Sequence, residues 1–255
     1  MKELLSIVIN YKTDELLRQF VDSYTQFVHN ENRELVIGDV AATLESTPPA
    51  GYSYYGWEGN IGYARAVNRF VSIYGYRFEN IAIFNADTRF LDSNCVDSCV
   101  NLLESDEKIA VVGPLQTNSS GQITHAGIFG TNTVPAHRAW KSSNLADVRD
   151  VRDAITVSGS AYFIKRSVWE ELANDPLYKE IDPESVGAFL NTDLYYEETW
   201  CSYFARHKGY RVMYNGEAHM IHEHDSSPNS ELSNSMKESR EIFRKACDHL
   251  GIARD

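Results

Sequence analysis

Short apolar runs alternate with helically spaced stretches through the first half of the chain. "LLSIVIN" (residues 4–10) reads as a strand buried on both faces. In "TDELLRQFVDSYTQFV", Leu16, Leu17, Phe20, Val21, Tyr24, Phe27 and Val28 keep a helical period, with Thr13 or Asp14 as N-cap. "ELVIGDV" predicts the next strand, with Asp39 near its end, and "SYYGW" a short one after Pro48-Pro49. "GNIGYARAVNRFVSIYGY" predicts a glycine-rich loop running into a helix. "NIAIFNAD" is again a strand, "SNCVDSCVNLLES" a helix, and "IAVVGPL" a strand halted by Pro114. This alternation, with continuous apolar strands, predicts an α/β fold whose mostly parallel sheet is covered by helices on both faces.

The second half is less regular. Residues 116–150 are polar and turn-rich, which predicts a hairpin and a mobile loop. "AITVSGSAYFIKRSVWEELA" predicts a strand pair leading into a helix. "YYEETWCSYFARHKGYRVMYNG" predicts a helix, a stop at Gly209, and a strand. Residues 230–250 predict a terminal helix burying Leu232, Met236, Phe243, Cys247 and Leu250. The division expected is one domain over 1–227 with a C-terminal helix, 228–255, packed on it.

Composition narrows the function classes. Of 255 residues, 24 are basic and 36 acidic, a formal charge of −12. That balance argues against tracking a nucleic-acid backbone, which needs a basic stripe. No apolar run reaches the about 18 residues a membrane span requires. The opening "MKE" leads straight into a strand without a cleavage pattern, so no signal peptide is expected. Four cysteines without a C-x-x-C pair fit a reducing, cytoplasmic setting, with Cys95 and Cys99 packing as small hydrophobes at i, i+4.

In open α/β sheets, ligands sit at the carboxyl ends of the strands. Here those ends carry Asn10-Tyr11, Asp39, and Asn85 with Asp87, residues that also start ordinary turns. Asn60 and Gly62 precede a helix whose bare amides suit a phosphate, or simply shape a glycine turn. Glu197-Glu198 open a helix beside Tyr195, Tyr196 and Trp200. Such a pair complements the helix dipole, and against aromatic walls it also suits general-base work. His219, His222 and His224 lie on or just after a strand, and a neutral imidazole from this group is a ready metal partner for Asp87.

Taken in order, "SIVINYKT", "LVIGDVAA", "NIGYARAVN" with "IAIFNADTRF", and "VSGSAYFIKRSVWEEL" through "AHMIHEHDSS" resemble the family 2 inverting glycosyltransferases of GT-A fold, the rhamnosyltransferase-like branch in particular. The resemblance covers residues 4–227. It implies a nucleotide-sugar donor, UDP- or dTDP-linked, and Mg²⁺ or Mn²⁺ on its diphosphate. The acceptor implied is a hydroxyl of a glycan, a lipid-linked sugar met peripherally at a membrane, or a protein.

By the same resemblance, Asn10 and Tyr11 frame the base, Asp39 bonds a pyrimidine, and Asn60 and Gly62 line the nucleotide crevice. Asn85-Ala86-Asp87 stands at the D-x-D position, with Asp87 on the metal. Gly159 borders the donor sugar, Glu198 is the base, and His222 sits near metal and diphosphate. The chain departs from the pattern at Asn85, at Glu198 where Asp is usual, and at Trp200 where many relatives carry Asp. Acceptor contacts are sought around His137, Arg138 and Trp140, and on the terminal helix at Lys237, Arg240, Arg244 and Lys245. A non-catalytic nucleotide-sugar-binding protein and a sugar nucleotidyltransferase are the alternatives. The second would place a glycine-rich basic loop after the first strand, where "NYKTDE" has no glycine and one lysine.

Overall fold

The computed structural model describes all residues except 41, 43–48, 133, 224–231 and 253–255. His224 therefore lies outside the described residues. In chain order the elements are β1 (Lys2–Asn10), α1 (Asp14–Phe27), β2 (Arg33–Asp39), β3 (Ser53–Gly56), α2 (Tyr63–Tyr74), β4 (Phe78–Asn85), β5 (Thr88–Phe90) and α3 (Asn94–Glu104). There follow β6 (Ile109–Thr117), β7 (Ile123–His125), β8 (Ile128–Gly130), β9 (Pro135–His137), β10 (Val151–Ala154), β11 (Ala161–Lys165), α4 (Arg166–Ala173), α5 (Pro176–Ile181), α6 (Glu197–His207), β12 (Arg211–His222) and α7 (Leu232–His249).

One sheet organises the chain, in the order β10-β12-β6-β11-β4-β1-β2-β3. β3, β2, β1 and β4 run parallel, as do β6 and β12, while β11 lies antiparallel between β4 and β6. Strand alternation splits the apolar residues between two layers. Leu5, Ile7 and Ile9 of β1, with Ile81 and Ile83 of β4, face the layer that contains α2, α4, α6 and α7. Leu4, Val8, Ala82 and Phe84 face α1 and α3. Burying each large side chain on these strands stabilises the fold by about 1.5–3 kcal/mol. Cys95 and Cys99 are buried in the α3 layer, as expected, and all four cysteines are free.

The register brings the important strand ends to one edge. Ile9 pairs with Asn85 and Asn10 with Asp39. Because β11 is antiparallel to β4, its starting end, preceded by Gly159 and Ser160, arrives at the same edge. There the Asn85 amide donates to the Ser160 carbonyl at 3.1 Å. β5 doubles back after Asp87 and pairs with the end of β12, His222 opposite Thr88.

Several expectations differ in detail. Residues 155–160 are not a strand but cross the sheet edge between β10 and β11. The region after the β8–β9 hairpin is tied back by backbone bonds between Ile123 and both Lys141 and Ser142. Phe243 and Cys247 of α7 and Leu250 just beyond it are buried, but Met236, on the same stripe as Phe243, is exposed, and the Leu232 side chain lies outside the described residues. Thr13 does sit at the α1 N-cap position. Its hydroxyl, however, donates to Asn10 Oδ1 at 2.8 Å instead of capping the helix.

Candidate active site

A cleft of about 1120 Å³ opens over the strand ends. Ligand pockets commonly measure about 300–1,000 Å³, so this one has room for more than one small molecule. Tyr11, Asn60, Gly62, Asn85, Asp87, Gly159, Glu198 and His222 all line it. Residues up to 211 positions apart in the chain thus share one cleft, which is what a converging site requires.

Asp87 sits in the tight turn between β4 and β5, and its carbonyl accepts from the Glu223 amide at 3.3 Å. That bond and the β5–β12 pairing hold the Asp87 and His222 side chains together, Oδ1 to Nε2 at 3.4 Å. The two are only 12% and 8% exposed. Two donors bound at right angles to one ion, each about 2.1 Å away, stand about 3.0 Å apart. The pair therefore fits adjacent ligand positions on a divalent cation with little movement. Among the described residues no group of three or more His, Cys, Asp or Glu surrounds such a point. A cation here would complete its shell with ligand oxygens and water, as Mg²⁺ commonly does. His219, by contrast, bonds Thr117 Oγ1 at 2.9 Å away from the cleft, and burial and the nearby Arg149 lower its pKa.

Asn60 and Gly62 shape the start of α2. The Gly62 amide donates to Asn60 Oδ1 at 2.9 Å, and Gly62 takes φ +83°, a left-handed value that suits glycine. The next residue, Tyr63, reaches across the cleft floor and donates to the Gly159 carbonyl at 3.0 Å. Burial, and after it the charges of Glu197, Glu198 and Asp87, push the Tyr63 hydroxyl well above its ordinary range. Three carboxylates, two from the start of α6 and one from the β4–β5 turn, thus converge on one ring.

The other wall is the first turn of α6. Tyr195 and Tyr196 enter it with φ +63° and +73°. Successive left-handed values at bulky residues are strained, and they persist only where the surroundings over-determine them. Here Thr192 Oγ1, 2.8 Å from the Tyr195 carbonyl, and the stacking of Tyr196 on Phe243 of α7 fix the turn. Glu198 packs so closely that a Cβ on Gly159 would come within 3.3 Å of its Cγ. Burial raises the pKa of Glu198, and burial followed by the neighbouring Glu198 raises that of Glu197 to about 8.

Asn10 and Asp39 are at the correct edge but lie behind the wall, fully buried. Asp39 accepts from Asn10 Nδ2 at 3.2 Å on one oxygen and from Tyr54 Oη at 2.9 Å on the other. Their neighbours Tyr11 and Val40 line the cleft. Trp200 points into the core against Tyr178 and Phe204, so its departure from the family pattern leaves the cleft wall untouched. Of the acceptor candidates, His137, Arg240 and Arg244 line the cleft. Arg138 is bound to Asp150, Trp140 packs on His137, and Lys245 pairs with Glu241. Lys237 is exposed on α7 off the cleft wall. Tyr63, Thr192, and the relay from Ser158 and Ser160 in the cleft lining to buried Gln116 carried no recognisable sequence signal.

No protein-family model and no curated protein sequence matches the chain. Solved structures do. The mannosyltransferase PcManGT from Pyrobaculum calidifontis, in complex with GDP-Man and Mn²⁺, superposes with TM-score 0.63 at 15% identity, over 96% of this chain and 64% of that one. GalNAc-T7, with UDP, GalNAc and Mn²⁺, gives TM-score 0.67 at 12% identity, over 98% of this chain and 50% of that one. The fold is the GT-A glycosyltransferase fold, a central mostly parallel sheet flanked by helices. The chain spans less than two thirds of either relative's length.

Proposed function

We propose that this chain is an inverting glycosyltransferase that moves a sugar from a nucleoside diphosphate to a hydroxyl acceptor. The observation that carries the reading is the shared cleft: Asp87 with His222 on one side, Glu198 on the other, around a space large enough for donor and acceptor. Both structural neighbours were solved with a nucleotide or nucleotide sugar and Mn²⁺. Asp87 and His222 would hold Mn²⁺ or Mg²⁺, which when bound neutralises diphosphate charge and favours its departure as a Lewis acid.

The protein's own residues supply the rest. The amides at the start of α2, with Asn60, Gly62 and Tyr11, border the donor. Asn85 and Gly159 flank the sugar, Gly159 leaving the space a side chain would fill. Glu198 accepts the proton of the acceptor hydroxyl as it attacks the anomeric carbon from the face opposite the diphosphate, a contribution of roughly 10²–10⁴-fold. Burial pushes both carboxyl groups of the pair upward, Glu197 to about 8, which suits the pair to accepting a proton near neutral pH. Asp39 and Asn10 belong to the base end of the site, where engaging a UDP- or dTDP-linked donor requires Tyr54 Oη to yield its bond to Asp39. Membership of family 2 and its rhamnosyltransferase-like branch rests on the motif order alone.

The deciding experiment is release of nucleoside diphosphate from a panel of sugar nucleotides with Mn²⁺, followed by NMR of the product's anomeric centre. Inverted product is expected. A retained anomer refutes single displacement, and failure to bind any nucleoside diphosphate refutes the whole reading.

A further inference from the structure

Arg240 and Arg244 stand one turn apart on α7 and both line the cleft. Neither has an ion-pair or hydrogen-bond partner among the described residues, whereas Arg33, Arg65, Arg89, Arg166 and Arg211 are each held by a carboxylate. Arg69 also lacks one, but it lies on an exposed helix face away from the cleft. Like charges at i, i+4 weaken a helix, and Arg244 is half-buried, so part of its hydration is already lost. Neither residue lies in the last turn of α7, where a cation would complement the helix dipole. In a chain of net charge −12, two guanidinium groups that line a cleft without a carboxylate partner among the described residues present a local positive field suited to an anionic ligand.

The pair's anchorage fixes which end of the cleft it serves. Phe243, between the two arginines, stacks on Tyr196 at 5.1 Å and edges onto Tyr203 at 5.8 Å, and Ser239 Oγ accepts the Leu194 amide at 3.1 Å. α7 is therefore docked on the segment that carries Glu197 and Glu198, not on the β5–β12 corner that carries Asp87. In a single displacement the base stands on the acceptor's side of the sugar, away from the diphosphate.

We propose that the acceptor carries an anionic group, a phosphate or a carboxylate, gripped by Arg240 and Arg244 while Glu198 addresses its hydroxyl. The proposal rests on the glycosyltransferase reading for the position of the acceptor. The guanidinium forks match either oxyanion through paired, charge-assisted hydrogen bonds.

The test compares a neutral hexose, its 6-phosphate and its uronate as ligands, by NMR titration of arginine side-chain signals and by calorimetry. The protein is first saturated with Mn²⁺ and a nucleoside diphosphate, so that the donor end is filled. We expect at least tenfold tighter binding of an anionic sugar than of the neutral one, the stronger arm telling phosphate from carboxylate. In R240A/R244A that preference falls below twofold while nucleotide affinity stays within twofold, and R240K/R244K restores part of it. Equal binding of neutral and charged sugars by the unmodified protein overturns the proposal. So does a tenfold loss of nucleotide affinity in R240A/R244A, which would give the pair to the donor. If no nucleoside diphosphate binds, the glycosyltransferase reading fails by itself, and the titration without nucleotide still decides whether the arginines select anions.

Discussion

Replacing Glu197 with Gln should stabilise the protein, by an amount that depends on pH. Glu197 is almost wholly buried, and its pKa rises from 4.5 to about 8 through burial first and Glu198 second. The local geometry agrees. Thr192 Oγ1 lies 2.8 Å from the Tyr195 carbonyl and 3.1 Å from Glu197 Oε2, yet a hydroxyl has one hydrogen to donate. Both contacts are satisfied at once when Glu197 is protonated and supplies the second hydrogen. A group whose folded pKa is raised contributes fully below its unfolded pKa, and that contribution is lost as pH climbs toward the folded value.

Each pH unit between 4.5 and 8 therefore removes about 1.4 kcal/mol, which makes about 3 kcal/mol by pH 7. Gln is the neutral isostere, and its amide donates to Thr192 in the same place, so Glu197→Gln should recover that amount. In a chain of this size about 3 kcal/mol is about 6–12 °C in Tm. Thermal unfolding of both proteins at pH 4, 5.5, 7 and 8 is the assay. The two should coincide at pH 4 and diverge upward. A variant that is less stable at every pH, or a gap that does not change with pH, refutes the reasoning.

Three further outcomes follow from the cleft. Glu198→Gln should cut turnover at least a hundredfold, about 2.7 kcal/mol, with nucleotide affinity preserved; steady-state kinetics and calorimetry separate the two. Asp87→Ala should abolish the Mn²⁺-dependent part of nucleotide binding, so that calorimetric traces with and without EDTA become identical. Gly159→Ala places a methyl 3.3 Å from Glu198 Cγ and should lower turnover about tenfold by displacing that carboxylate, with little change in Tm.

The fold was largely legible because its signals are local. Continuous apolar runs such as Ile81–Phe84 announce strands buried on two faces, and the alternation with helices announces the sheet. Asp87 and Glu198 were legible as strand-end and helix-start residues in a known order. What the sequence hid is what depends on packing. Nothing in "NAD" tells that Asp39's carboxylate, 48 positions earlier, is engaged by Tyr54 and turned from the cleft. Met236 keeps the helical period yet is exposed although Phe243, seven residues on along the same stripe, is buried, so the period alone does not tell how far along the helix its partner wall extends. Tyr195 and Tyr196 give no hint of left-handed backbone, which for tyrosine is imposed from outside.

The short return of β5 onto the end of β12 has a consequence for how the molecule comes into being. Asp87 is translated well before His222, yet only backbone pairing with that last strand sets the two side by side. A chain still emerging from the ribosome can lay down β1, β2 and β4 and their helices. The Asp87–His222 pair must nevertheless wait until β12 pairs with β5 and lies beside β6. This corner of the cleft is thus among the last parts of the molecule that can close.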